Sequence, residues 1–200
     1  MFIQVLQGKV SDADAVRVRF DDWTRNLGPS AEGWLGSTEG VTEDGEFVAV
    51  VRFRDEDSAR RNSARPEQGA WWAETEALFD GEVKFHDYPH TTTWMDGGSD
   101  DAGFVQVIQG TYTGDASPAD MDMDEDRMAE LRPDVIGGTI GWDDDGHFTQ
   151  TMYFTSEEDA REGERALAGD PGISAQMNEW VAQVDGLRYL DLSEPRMASG

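Results

Sequence analysis

The 200-residue chain carries 42 acidic against 16 basic side chains, a formal net charge of -26, and contains no cysteine. A field of that sign repels nucleic-acid backbones and anionic membrane surfaces, and the missing thiols exclude disulfides, thiolate metal sites and a cysteine nucleophile. Apolar residues at 38%, with seven Trp and nine Phe, suffice for a packed core despite 29% charged residues. No run approaches the ~18 apolar residues of a membrane span. Gly8, Lys9 and Asp12 interrupt any leader-like apolar stretch early, so a soluble cytoplasmic protein is expected.

Phe2–Gln7, an apolar run with Gln at two places, reads as a buried strand that leaves into a turn at Gly8. Ser11 is placed to cap a helix whose apolar face is Val16, Phe20, Trp23 and Leu27, stopped by Gly28-Pro29. Trp34–Val41 is a weaker strand candidate, Asp44-Gly45 a hairpin turn, and Phe47–Arg54 the clearest strand. Phe47, Ala49, Val51 and Phe53 share one of its faces. Asp55-Glu56-Asp57 opens a second helix. Pro66 suits the first turn of a third, which carries Trp71, Trp72, Leu78 and Phe79. Val83–Tyr88 closes the series as a strand before Pro89. The order is β-α-β-β-α-β.

The order then recurs. Phe104-Val-Gln106-Val-Ile-Gln109-Gly110 repeats Phe2-Ile-Gln4-Val-Leu-Gln7-Gly8 almost residue for residue. Ser117 and Pro118 begin a helix ending near Arg132-Pro133, Val135–Trp142 and Phe148–Phe154 flank a turn at Asp145-Gly146, and Leu187–Leu192 closes. Ser156-Glu157-Glu158-Asp159-Ala160-Arg161 answers Asp55-Glu56-Asp57-Ser58-Ala59-Arg60, and Pro171 answers Pro66. The chain therefore divides into a repeat over 1–92, a Gly-rich linker over 93–102 and a repeat over 103–200.

Each repeat reads as an antiparallel sheet with helices on one face, which leaves an apolar second face to cover. Two ferredoxin-like βαββαβ repeats packed sheet to sheet meet that need, giving an α+β fold that is a pseudo-dimer in one chain. The β1 pattern with Gln4 and Gln106, the two Asp-Gly turns and the acidic starts of the second helices resemble the dimeric α+β barrel superfamily. Within it the antibiotic-biosynthesis-monooxygenase-like group is the most similar. The resemblance implies a small-molecule enzyme, a cofactor-independent monooxygenase acting on an aromatic or polyketide-like substrate. A non-catalytic binding or stress-related protein is the alternative. Haem binding or degradation ranks third, because no predicted helix holds a His. No cofactor and no metal are expected; a fused barrel makes a monomer the default and a homodimer the alternative.

Candidate chemistry is sparse. His86 and His90 stand about 13 Å apart on a strand, too far to share a metal. The Asp120–Asp126 run mimics a calcium loop but has Glu125 at the turn position and Leu131 at the bidentate one. There is neither a nucleophile elbow nor a phosphate-binding Gly motif. Any ligand is placed in the first repeat, where adjacent Trp71 and Trp72 project in different directions, whereas the second has Gln176 and Met177. Trp23 belongs to the same helix layer. Trp72 either walls a pocket or fills the core. Gln4 offers a neutral hydrogen bond, Arg52 a cationic contact or a snorkelling side chain, and His86 a general base or a residue facing water.

Overall fold

The two Gln-bearing segments form central strands, β1 (Phe2–Lys9) and β6 (Phe104–Tyr112), of two five-stranded antiparallel sheets. The computed structural model describes residues 1–95, 97–114, 125–192 and 194–200. It divides into one unit of Met1–Pro89 with Glu194–Gly200 and another of His90–Ser193.

In the first unit, β2 (Trp34–Val41), β3 (Glu46–Phe53) and β4 (Lys84–Tyr88) join β1 in the order β2-β3-β1-β4. The β2–β3 hairpin turns through Gly45, whose φ of 79° suits a residue without a Cβ. Helices α1 (Ala13–Asn26), α2 (Glu56–Ser63) and α3 (Pro66–Glu76) cover one side. Phe2, Leu6, Phe47, Ala49 and Phe53 point to that side and pack with Phe20, Trp23 and Trp71 of the helices. Asp12, not Ser11, caps α1, accepting from the Ala15 amide at 2.9 Å. Asp55 caps α2 in the same way, and Pro66 occupies the first turn of α3, where no amide is needed.

The second unit repeats this with β7 (Val135–Trp142), β8 (His147–Phe154) and β9 (Val184–Leu192), in the order β7-β8-β6-β9. Helices α4 (Glu125–Leu131), α5 (Glu157–Ala168) and α6 (Pro171–Val181) take the places of α1 to α3. Each unit is the expected ferredoxin-like repeat. Ser117, Pro118 and residues 120–124 of the acidic run lie outside the described residues.

Both sheets carry a fifth strand that the periodicity does not announce. β5 (His90–Trp94) lies beside β7, although its last two residues fall in the stretch read as linker. β10 (Arg196–Ser199) lies beside β2 and so returns to the first sheet. Three consecutive Thr suit an edge strand, but polar residues flanked by Pro89 and a Gly-rich run carry no alternating signal.

Candidate functional site in the first unit

A cavity of about 260 Å³ lies between the helix side of the first sheet and its helices. Its floor is Gln4 and Leu6 of β1, Ser37 of β2, Val51 and Phe53 of β3, and Phe85 of β4. The register sets Ser37, Val51 and Gln4 in one row across β2, β3 and β1. Ser37 reaches that row because β2 bulges between Trp34 and Gly36. Gly36 has φ 144°, and a Cβ there would meet the Ala198 carbonyl at 2.5 Å. The extra residue shifts the alternation, so Trp34, Ser37 and Glu39 all face the helices.

The walls are aromatic. Trp23 packs edge-on against Trp34 at 5.1 Å, Phe20 against Trp71 at 5.2 Å, and Trp72 against Phe85 at 5.2 Å. Arg19 locks α1 to α3 by donating to the Trp71 carbonyl at 3.0 Å, while the Trp71 indole donates to the Arg19 carbonyl at 3.1 Å. The Trp72–Phe85 pair is looser, with Phe85 half exposed at 50%.

Three amides have their orientation fixed by partners that can only donate or only accept. The Trp23 indole donates to Gln68 Oε1 at 2.5 Å, which leaves the Gln68 NH₂ for another acceptor. Arg65 Nη1 donates to Asn62 Oδ1 at 3.0 Å, which leaves the Asn62 NH₂. The same guanidinium donates to the Leu27 carbonyl and Ser30 Oγ and so ties the α2–α3 junction to the end of α1. On the floor, Gln4 Nε2 donates to Asp87 at 2.8 Å, which leaves Gln4 Oε1 as an acceptor. Among the described residues no ionisable side chain lines the cavity.

One ionisable group lies just beyond it. Glu39 is only 4% exposed. Burial pushes its carboxyl up to about 8, with the Asp21 charge adding to the rise and Arg196 opposing it.

Of the residues singled out from the sequence, Gln4, Trp23 and Trp72 come together here. Arg52 and His86 do not. Arg52 is in register with Ile3 and His86 with Val5, both on the sheet face opposite the helices. His86 stacks on Tyr88 at 4.4 Å instead of approaching Trp72. Ser37, Glu39, Asn62 and Gln68 escaped the sequence reading. Asn62 had a signal, since Ser58, Ala59 and Asn62 follow helical spacing and all three are buried. Ser37 and Glu39 had none, because the bulge hides their phase.

At the matching places of the second unit the described side chains are arranged differently. Gln106, matching Gln4, donates to Asp191 at 3.0 Å and to Glu164 at 3.4 Å. Arg161 lies over the Phe104 ring at 5.2 Å and pairs with Asp191 and with Glu164. Trp94 of β5 packs over Gly138, where a Cβ would lie 2.3 Å from the indole. Met128 packs against the core cluster, whereas Met177 is 48% exposed.

No family model and no curated protein sequence matches the chain. Solved structures do. A "putative monooxygenase" of Fusobacterium nucleatum subsp. nucleatum ATCC 25586 aligns over 100% of this chain and 95% of its own, with a TM-score of 0.71 and 10% identity. Another "putative monooxygenase", of Lactobacillus acidophilus NCFM, aligns over 99% of this chain and 95% of its own, with a TM-score of 0.68 and 13% identity. An anthrone oxidase-like protein covers 100% of this chain and 94% of its own, with a TM-score of 0.61 and 12% identity. The chain thus shares the fold of these structures, two ferredoxin-like βαββαβ repeats in tandem. No helix among the described residues is long and apolar enough to cross a membrane.

Proposed function

We propose that the first-unit cavity binds a flat, uncharged small molecule and that the protein acts on it as a cofactor-independent monooxygenase, on an aromatic or polyketide-like substrate. The observation that carries this is the lining itself: indole and phenyl walls, no ionisable side chain, and amides held with spare N–H groups on one side and a spare acceptor on the other. Apolar enclosure with a few placed polar groups is what such a ligand needs. A cavity of about 150 Å³ holds benzene, so 260 Å³ suits two or three fused rings.

The monooxygenase and anthrone oxidase-like names of the structural neighbours support the reaction class. In that class O₂ is the oxidant and the substrate supplies the electrons: a ring CH₂ becomes C=O, and the second oxygen leaves as water. The protein's part is to hold the ring, exclude water and stabilise the oxyanion formed when the ring loses its proton. The spare N–H groups of Asn62 and Gln68 suit that last task, because preorganised donors favour a developing negative charge.

Quenching of tryptophan fluorescence by anthrone tests binding, and O₂ uptake in its presence tests the reaction. Trp72→Ala and Asn62→Ala should each weaken quenching. If anthrone and similar polycyclic phenols leave the fluorescence of the parent unchanged, the reading fails.

A further inference from the structure

Ligand binding as described leaves Glu39 without a task. It stands on the helix side of β2, two residues from cavity-lining Ser37. Its row across the sheet runs through Ala49 to Leu6, itself on the cavity floor. Glu39 Oε2 is buried and has no hydrogen-bond partner among the described residues. The groups around it are few: α1 brings Asp21, β10 places Arg196 opposite in register, and β3 offers only Ala49. The second unit has Ile140 at the matching position, packed in an apolar cluster. The fold therefore accepts a hydrocarbon there, and a buried, incompletely paired carboxyl costs stability that an Ile would not.

We propose that Glu39 is the proton-exchanging group of this site, acting through the Ser37 hydroxyl on a ligand lodged in the cavity. The inference rests on the ligand reading above. Side chains at i and i+2 of a strand share a face with about 7 Å between their Cα atoms, a gap that an extended Glu side chain can span toward a Ser hydroxyl. The step is a proton transfer only. An acidic hydrogen of the ligand passes to Ser37 Oγ while the hydroxyl's own hydrogen passes to the Glu39 carboxylate. The ligand is left as an anion, Glu39 as a neutral acid and Ser37 unchanged; the return path reverses each transfer. A proton acceptor works best when its own affinity for the proton is matched to the working pH, and burial between Asp21 and Arg196 supplies that match.

The test uses the full chain, with Glu39→Gln as the near-isosteric variant and Glu39→Ile, which copies the residue at position 140, as a second in case the amide perturbs folding. Difference infrared spectroscopy should show one carboxyl titrating near pH 8 in the parent and missing from both variants. Anthrone is the proton donor, and its enolate is followed by absorbance. In the parent, enolate formation should rise about tenfold per pH unit below the midpoint and then level off. Glu39→Gln should lose about tenfold or more at pH 8 while quenching affinity stays within about threefold, and Ser37→Ala should lose rate in the same way. An unchanged pH profile in Glu39→Gln, with anthrone bound, overturns this proposal alone. So does the lack of a carboxyl titrating near pH 8. Failure of anthrone to bind the parent overturns the ligand reading and this proposal with it.

Discussion

The two βαββαβ units share the strand order, the bulge and the Asp-Gly turn, and among the described residues they differ in the side chains that lie under their helices. The difference therefore lies in side chains and not in strand order. Gln4 and Asp87 form the same cross-strand pair as Gln106 and Asp191. What differs is what joins them. Arg161 pairs with Asp191 and Glu164 as well as with Glu157 one turn before it, whereas its counterpart Arg60 pairs with Glu56 and Asp57 of its own helix. Over the strand edge, Trp94 covers Gly138, whereas Ala198 faces Ser37. On one scaffold, a few side-chain choices thus give the two layers different linings.

The sharpest way to break the comparison is to remove the indole that packs over Gly138. Trp94 is buried over a glycine that cannot collapse into the gap, so Trp94→Ala should cost about 3–5 kcal/mol, read by urea or thermal unfolding. A loss below about 1 kcal/mol would mean that Trp94 is not what occupies the layer.

Next in size is the pH dependence that Glu39 gives the first unit. Its folded-state pKa of about 8 lies above the ordinary value of 4.5, so the folded form holds the proton more tightly. The contribution is fully present below about pH 4.5 and is lost as pH rises through 8. The stability of the parent relative to Glu39→Gln should therefore fall across that window, by a few kcal/mol at most. Parallel curves would show that Glu39 titrates normally.

Transplanting the plug is the third test. Ser37→Gly with Ala198→Trp copies the Gly138–Trp94 pair into the first unit and should weaken anthrone quenching by at least about tenfold, or 1.4 kcal/mol. Unchanged quenching would place the ligand elsewhere. The smallest effect is expected from Arg161→Met, which removes a half-exposed network and should cost about 1 kcal/mol, with stability less salt-dependent afterwards.

The repeat was legible because Phe2–Gly8 and Phe104–Gly110 agree almost residue for residue, and hairpins and capped helices have local signatures. The choice of the first repeat, with Trp23 and Trp72, came from where the Trp side chains fall, and Gln4 from its place on the first strand. Arg52 and His86 were misplaced for a physical reason: a strand's alternation says which residues share a face, but only register says which face the helices cover. Glu39 was hidden by a one-residue bulge. The fifth strands were hidden because each pairs with a strand far from it in sequence and has no hairpin turn to mark it.

That pairing also bears on how the chain folds. β10 completes the first sheet by bonding to β2, from which the whole second repeat separates it. The Gly200 amide extends the connection to the Leu35 carbonyl. Contacts this distant in sequence close late, because a long loop must be ordered before they form. A growing chain that has released only its first repeat thus exposes an unpaired β2 edge, a surface that invites wrong strand partners. β2 also carries Ser37 and Glu39, so the part of the cavity floor that Ser37 supplies settles only after β10 has arrived.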